Sequence, residues 1–154
     1  MSDDASARFV EDLAAMLSGM GFPRMPSRVF AALLCADGPD LTARELATTL
    51  KVSPAAISGA VNFLSRIRLI HRRREAGERV DRFSIGGDMW LGPVTMEIEG
   101  YAAMVAVLDK ALAEGAVSGL AADRVDETRD FFSFMTEALP RLYSEWQQSR
   151  PTAG

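Results

Sequence analysis

Nine lysine and arginine side chains lie between residues 41 and 82 of this 154-residue chain, against four acidic ones, so the segment carries a net charge of +5. The chain as a whole carries −4, because the segments before and after it are acidic. Arginine binds planar oxyanions through paired hydrogen bonds, and a concentration of basic side chains attracts anions over longer distances. The sequence therefore predicts an anion-facing surface within residues 41–82.

Two capped helices must position the first half of this surface. Thr42 and Glu45 have the spacing of a capping box, in which each side chain satisfies a free backbone amide at the start of a helix that runs to about Leu50. Ser53 and Pro54 then supply an N-cap hydroxyl and a proline at the first helical position. Two capped helices joined by so short a turn predict a helix-turn-helix.

The second of these helices, residues 54–67, has two different faces. Apolar residues at 3-and-4 spacing form the face that we expect to be buried. The opposite face carries small and polar side chains, which allow a backbone to lie close to another surface such as a major groove. We predict that its contact residues, together with the N-cap, are Ser53, Ala55, Ala56, Ser58, Asn62 and Arg66.

Residues 69–74 and 79–85 predict two strands around the glycine-containing turn 75–78. Alternation along a strand places Arg72 and Arg74 on one face and Arg73 on the other. These arginines either contact phosphates or form a charged edge that prevents strand association. A helix-turn-helix followed by a hairpin is the winged-helix arrangement.

The remaining helices surround this module. Helical periodicity covers residues 5–18, glycine and proline interrupt residues 19–26, and an apolar helix over residues 28–36 is expected to be the buried central one. Two heptad-like stripes follow in residues 88–148, which we interpret as a dimerisation platform. Pro140 is expected to kink or split the last helix near Leu139.

The expected fold is therefore mainly α with a small β-hairpin wing. It divides into an N-terminal helix and linker (1–26), a winged helix-turn-helix DNA-binding region (27–87), a C-terminal helical dimerisation region (88–148) and a flexible tail (149–154). The 48% hydrophobic content is sufficient for a core. We expect no membrane-crossing segment, no disulfide framework with a single cysteine, and a cytoplasmic protein.

These residues together resemble the MarR superfamily of bacterial transcriptional regulators, and within it the GbsR-like branch. The match is clearest in Gly21-Phe22-Pro23-Arg24-Met25-Pro26-Ser27-Arg28, which is similar to a Gly-x-Pro-Arg-x-x-x-Arg-like signature of that branch. It continues through Leu41–Ala47, Val52–Ser58 and Gly77-Glu78-Arg79. The resemblance implies a homodimer in which the N-terminal helix of residues 1–26 and the C-terminal helices form the dimer interface. It also implies binding to an inverted-repeat operator, with residues 53–66 as the recognition helix and Arg79 at the wing tip.

The chain departs from the family pattern at one position. Many members carry glycine after the recognition helix, where this sequence has Arg68. If the backbone there is left-handed, we expect arginine to cost roughly 1 kcal/mol.

Individual roles follow from these expectations. Arg72, Arg74 and Arg82 are predicted to contact phosphates, and Arg79 to enter a minor groove. Asn62 is suited to an adenine edge, with helix capping or plain solvent exposure as the alternatives. Arg28, at the start of the central helix, either reaches a phosphate or braces the dimer.

Other functions have weaker support in the sequence. Many family members respond to a small molecule, and Trp90 with Tyr101 are our expected ligand-facing pair for an apolar or aromatic effector; packing within a dimer core is the alternative. Cys35 is expected to be a core residue, with a redox-sensing thiol as the alternative. We expect no enzyme activity, no cofactor and no metal site, because the sequence lacks a P-loop, a nucleophile–base pair and metal-ligand spacing.

Two rival functions keep the same fold. The first is a winged-helix adaptor that contacts only proteins and binds no DNA. The second is a small-molecule carrier or minor enzyme built on the helical platform. The arginine concentration favours DNA binding over both.

Overall fold

The computed structural model describes residues 3–150, so residues 151–154 of the predicted flexible tail lie outside the described part of the chain. The described residues form two compact units, which divide after Met89. We call these the first and the second unit. The first unit contains α1 (Asp3–Gly19), α2 (Arg24–Leu34), β1 (Leu41–Thr42), α3 (Ala43–Leu50), α4 (Pro54–Arg66), β2 (His71–Arg73) and β3 (Arg82–Ser84). The second contains α5 (Leu91–Ala113) and α6 (Leu120–Ser149).

Both predicted helix caps are confirmed. The Thr42 amide donates to Glu45 Oε2 at 2.7 Å, and the Glu45 amide donates to Thr42 Oγ1 at 3.2 Å, so α3 begins with a complete capping box. The hydrogen bonds that the Glu45 carboxylate accepts from the Thr42 amide and then from the Thr42 hydroxyl lower the pKa of Glu45. At the start of α4 the Ala56 amide donates to Ser53 Oγ at 3.3 Å, and Pro54 occupies the first turn. Both helices of the helix-turn-helix therefore begin directly after the N-cap residues that the sequence predicts.

The beginning of α2 is a correction. The predicted helix began at Arg28, but α2 begins at Arg24 and includes Pro26 in its first turn. The backbone amides of a first turn have no partner inside the helix, so a proline there removes no helical hydrogen bond. Proline was therefore misinterpreted as a helix breaker. The helix is the central one, as predicted, with seven buried residues.

The three strands form an antiparallel sheet in the order β1-β3-β2. In β2 and β3, Arg72 lies opposite Phe83 and Arg73 lies opposite Arg82. The hairpin strands are shorter than predicted, with three residues each. The two-residue strand β1 was missed, because its residues had been assigned only to the approach and cap of α3.

The first unit has its own apolar core. Four side chains of this core are fully buried: Val29 of α2, Leu46 of α3, and Ile57 and Leu64 of α4. Phe83 on β3 is 2% exposed and belongs to the same cluster, which fastens the base of the hairpin to the helices. Helix α1 packs on α2. Helix α1 therefore belongs to the first compact unit.

The second unit is a pair of packed helices. Tyr101 on α5 lies 5.1 Å from Phe132 on α6 between ring centroids, and Arg129 reaches Asp109 at 3.7 Å. Pro140 lies inside α6, which continues to Ser149, so the predicted split is wrong. Of the residues that are described in this unit, Ala138 alone is buried.

Helix α5 is long and apolar. It has 23 residues, a mean hydropathy of 1.2 in its best 18-residue window, and none of that window is buried. By length and composition alone it could cross a membrane, and helices that pack against other helices share these properties.

Candidate nucleic-acid interface

The outer face of α4 is built as predicted. Ile57 and Leu64 face the core, while Ala55, Ser58 and Asn62 are exposed. Because side chains at 3-and-4 spacing share a face of a helix, burial of the apolar set leaves the small and polar set facing outwards. Ala56 is half-buried. Helix α4 thus presents a shallow polar surface that begins at the capped N-terminus.

One side of the hairpin is organised by Asp81. Arg72 Nε donates to Asp81 Oδ2 at 2.9 Å, and Arg74 Nε donates to Asp81 Oδ1 at 2.8 Å. The hydrogen bonds from Arg74 and Arg72 lower the pKa of Asp81, and the same contact raises the pKa of Arg74. The predicted sharing of a face by Arg72 and Arg74 is confirmed by their common partner.

The other side is organised by Asp40, which precedes β1. Its carboxylate accepts from Arg82 Nη1 at 3.0 Å and from Arg73 Nη2 at 3.3 Å. Arg82 also contacts Glu78 at 3.4 Å, and Arg73 contacts Glu75 at 3.2 Å. The hydrogen bond to Asp40, followed by that to Glu78, raises the pKa of Arg82.

Arg72 connects the hairpin to the recognition helix. Its Nη1 lies 3.5 Å from Asn62 Oδ1 on α4, while its Nε and Nη2 bind Asp81. The guanidinium also lies 5.9 Å from the centroid of the Phe83 ring. The predicted base-reading residue and a predicted phosphate-binding residue are therefore neighbours on one surface, which we call the α4–wing face.

Arg79 differs from the other predicted wing contacts. It is exposed, and within residues 3–150 it forms no ion pair, whereas Arg72, Arg74 and Arg82 each bind a carboxylate. A guanidinium without an acidic partner breaks no ion pair within the protein when it binds a phosphate or enters a groove. Among the four predicted wing contacts, Arg79 is therefore the arginine whose charge is not compensated by a described carboxylate.

Arg66 and Arg28 have other partners. The Arg66 guanidinium lies 5.6 Å from the centroid of the Phe63 ring, at the end of α4. Arg28 binds Glu11 of α1 at 2.5 Å and donates to the Leu50 carbonyl at 3.2 Å. Arg28 therefore links α1, α2 and the end of α3 within the chain. No described contact joins it to the α4–wing face.

The helix-ending position after α4 is left-handed, as the sequence departure suggested. Arg68 has φ 58°, and Lys51 after α3 has φ 53°. Only glycine adopts this region without strain, so each residue costs roughly 1 kcal/mol. Each helix of the helix-turn-helix thus ends with a basic residue in a conformation that favours glycine.

Sequence reasoning missed the two acidic residues that organise the wing, Asp40 and Asp81. In the sequence, Asp81 is one of the four acids that lower the net positive charge of residues 41–82, and Asp40 directly precedes that segment. For Asp81, its place within two residues of Arg79 and next to Arg82 was an available indication. For Asp40 no local indication existed, because its partner Arg73 is 33 residues away.

Trp90 directly precedes α5, whereas Tyr101 lies within that helix. Trp90 lines an apolar depression of about 370 Å³, whose other lining residues are Val94, Leu139, Leu142, Tyr143 and Trp146. Tyr101 packs on Phe132, and its hydrogen bond to Glu97 raises its pKa. The structure therefore does not bring the expected ligand-facing pair together, and Tyr143 and Trp146 are the aromatic neighbours of Trp90.

Cys35 is half-buried on the wall of a second cavity of about 550 Å³ between α1, α2 and the end of α3. Burial raises the pKa of its thiol, which opposes formation of the reactive thiolate. In the acidic stripe of α6, Arg129 binds Asp126 at 2.8 Å and Asp130 at 2.6 Å. Within the described residues no cluster of three or more potential ligands could hold a metal ion.

Comparison with known proteins addresses fold and family. No curated protein sequence matches this chain. A crystal structure described as a transcriptional regulator aligns with a TM-score of 0.82 and 24% identity, over 94% of this chain and 99% of that one. The structure of Streptococcus pneumoniae FabT in complex with DNA aligns with a TM-score of 0.36 and 18% identity, over 82% of this chain and 76% of that one.

The family model that matches is that of the MmpR5-like MarR family transcriptional regulators, over residues 88–149. The matched segment is the pair of helices α5 and α6 rather than the winged helix. The likeness at TM-score 0.82 shows that the chain has the winged helix-turn-helix fold with added helices. The GbsR-like branch stays a prediction. The matched segment is less than half of the chain, so membership of the MarR family stays a prediction as well.

Proposed function

We propose that this chain is a homodimeric transcriptional regulator that binds an inverted-repeat operator through α4 and the wing. The observation that carries DNA binding is the α4–wing face. It combines an exposed polar helix surface, Asn62 beside Arg72 at 3.5 Å, and an uncompensated arginine at position 79. Helices of this kind read base edges in a major groove, while arginines neutralise phosphates or enter a minor groove.

The arginine–carboxylate pairs are compatible with this function. Arg72, Arg74 and Arg82 remain exposed or half-exposed while they bind Asp81 and Asp40. Each guanidinium has five N–H donors, so one that binds a carboxylate still has donors for a phosphate. We propose that these three arginines position the duplex and that Arg79 supplies the deepest contact.

Dimerisation is proposed from the second unit. Helix α5 has no buried residue, and large apolar side chains of α6 are exposed, among them Phe131 at 57% and Phe134 at 60%. Exposed apolar surface of this extent is typical of a protein interface. A second copy of the chain is the partner that an inverted repeat requires, since a two-fold operator matches a two-fold dimer.

A small apolar or aromatic effector is a further part of this proposal. Its candidate residue is Trp90, which lines the apolar depression between α5 and α6. Tyr101 is retained only as a residue of the same helix pair. We also propose a cytoplasmic location and no enzymatic activity, as expected of a transcriptional regulator.

The experiment that tests the proposal is selection of binding sites from a random DNA library by the full chain, followed by sequencing. We expect an enriched inverted repeat whose half-sites are centred roughly 10 base pairs apart, about 34 Å along the duplex. Sedimentation of the free protein should give the mass of a dimer. Enrichment of no sequence, with a monomer in solution, would contradict the proposal and favour the adaptor function.

A further inference from the structure

We infer that Asp40 is a specificity-determining positioning residue, which holds the wing in register with the recognition helix. The inference rests on the DNA-binding function proposed above and deepens it. Asp40 belongs to neither the helix nor the hairpin that would contact DNA, since it lies in the segment between α2 and β1. Its effect on DNA must therefore pass through the residues that it holds.

The register of the hairpin creates a need for a counter-charge. Arg73 on β2 and Arg82 on β3 are directly opposed partners in the antiparallel ladder. Like charges in opposed positions destabilise a strand pair. The Asp40 carboxylate lies against both, at 3.3 Å from Arg73 and 3.0 Å from Arg82, and its side chain is only 11% exposed. The Asp40 carboxylate is thus shared by both members of the opposed arginine pair, each of which also contacts a more exposed glutamate.

The position of Asp40 in the chain makes this contact a connection between elements. Asp40 directly precedes β1, and β1 runs into Thr42, the N-cap of α3. Thr42 is also the ladder partner of Arg82. The wing is therefore fastened to the helix-turn-helix at its base by backbone pairing and by the Asp40 carboxylate, on the side opposite to Asp81.

The carboxylates of the wing are not equivalent. Asp40 binds two arginines from different strands and is mostly shielded from water. Glu78 contacts Arg82 alone, at 3.4 Å, and its side chain is 39% exposed. Exposed single ion pairs contribute little because water and salt screen them, whereas a shielded carboxylate with two charged donors is held in one geometry. Glu78 is thus a matched control with the same charge in the same hairpin.

The test compares Asp40→Asn with Glu78→Gln, each alone and combined with Arg79→Ala. Both substitutions remove one negative charge, so both should strengthen binding to scrambled DNA and make the salt dependence steeper by roughly one unit of slope. Only Asp40→Asn should reduce the preference for the operator over scrambled DNA, by about fivefold or more. Asp40→Glu should restore part of that preference.

The Arg79 combination distinguishes positioning from charge. If Asp40 positions Arg79, the affinity loss caused by Arg79→Ala should be smaller in the Asp40→Asn background than in wild type. It should be unchanged in the Glu78→Gln background. Equal Arg79→Ala losses in all three backgrounds would overturn the inference.

A measurement on the free protein keeps the inference testable without DNA. Backbone NMR relaxation should show greater mobility of residues 71–84 in Asp40→Asn, with little change in Glu78→Gln. Identical mobility in the two variants would overturn the inference even if operator binding is established. A different result would be that the wild-type chain binds no DNA while the wing is more mobile in Asp40→Asn. That result would contradict the proposed function but would support the role of Asp40 in holding the wing in position.

Discussion

The two units of this chain satisfy their apolar side chains in different ways. The first unit buries Leu46, Ile57 and Leu64 completely, in a core to which all four of its helices contribute. The second unit packs two long helices together and buries Ala138 alone among its described residues. The first unit thus encloses an apolar core, whereas the described helices of the second unit leave large apolar side chains exposed.

The largest expected effect tests the completeness of the first unit. Ile57→Ala should lower the free energy of unfolding by about 2–5 kcal/mol, because it removes buried methyl groups and leaves a cavity beneath α4. Urea unfolding measures the change. Phe131→Ala, at a side chain that is 57% exposed, is the control for truncation at a site not covered by the chain itself. An equally large loss of stability in Phe131→Ala, measured at a protein concentration where only monomer exists, would contradict the difference in burial between the two units.

The next effect tests whether a second copy covers the second unit. Phe134→Glu places a charge on a side chain that is 60% exposed, so the isolated chain should tolerate it. In a dimer that buries Phe134, the charge should weaken association by about 2 kcal/mol or more. Sedimentation equilibrium measures the dissociation constant, with Gln148→Glu on the same helix as the charge control. Unchanged association in Phe134→Glu would show that this face lies outside the interface.

Within the first unit, paired and unpaired arginines should differ. Arg79→Ala should weaken operator binding by about 1–3 kcal/mol, since Arg79 has no carboxylate partner among the described residues and its whole charge is available to DNA. Arg74→Ala should cost less, because Asp81 already compensates Arg74. Fluorescence anisotropy with labelled operator measures both. A larger loss for Arg74 would reverse the proposed order of contacts.

A smaller effect concerns the helix ends of the first unit. Lys51→Gly and Arg68→Gly should each raise the free energy of unfolding by up to about 1 kcal/mol, because glycine adopts a positive φ without strain. Urea unfolding at neutral pH is the measurement. Destabilisation by glycine at both positions would mean that contacts of the two side chains outweigh the relief of strain.

The smallest effect is the pH dependence of the wing. The pKa of Asp81 is lowered by Arg74 and Arg72, so this carboxylate contributes stability above its unfolded pKa of about 3.9. The contribution is lost as the pH falls through the lower folded value. The stability difference between wild type and Asp81→Asn should therefore be constant near neutral pH and shrink below about pH 4. A difference that grows on acidification would contradict the pairing.

Local sequence patterns predicted the parts of the fold that depend on neighbouring residues. The capping box at Thr42 and Glu45 and the Ser53-Pro54 start determine hydrogen bonds within three residues, and both were predicted correctly. The left-handed backbone at Arg68 followed from a departure in a family pattern. Pro26 was misjudged, because a proline in a first turn costs little, and the split at Pro140 was wrong, since α6 continues through it; the alternative of a kink there stays a prediction.

The candidate site could be predicted only in part for the same reason. The exposed face of α4 follows from helical periodicity, and the alternation of Arg72 and Arg74 against Arg73 follows from strand geometry. The sharing of arginines between Asp81 and Asp40 depends on hairpin register and on a strand of two residues. Register and short edge strands are set by tertiary packing, which a single sequence does not display.

The measurement that tests the central claim most directly is fluorescence anisotropy of the wild-type chain with a labelled operator and with scrambled DNA, at several salt concentrations. The Arg79→Ala/Asn62→Ala double variant, which alters the α4–wing face without touching the core of the first unit, is the comparison. We predict tight binding that prefers the operator, falls steeply with salt, and loses its sequence preference in the variant. Equal affinity of wild type and variant for both DNAs, or no binding at low salt, would contradict the claim that this face reads DNA.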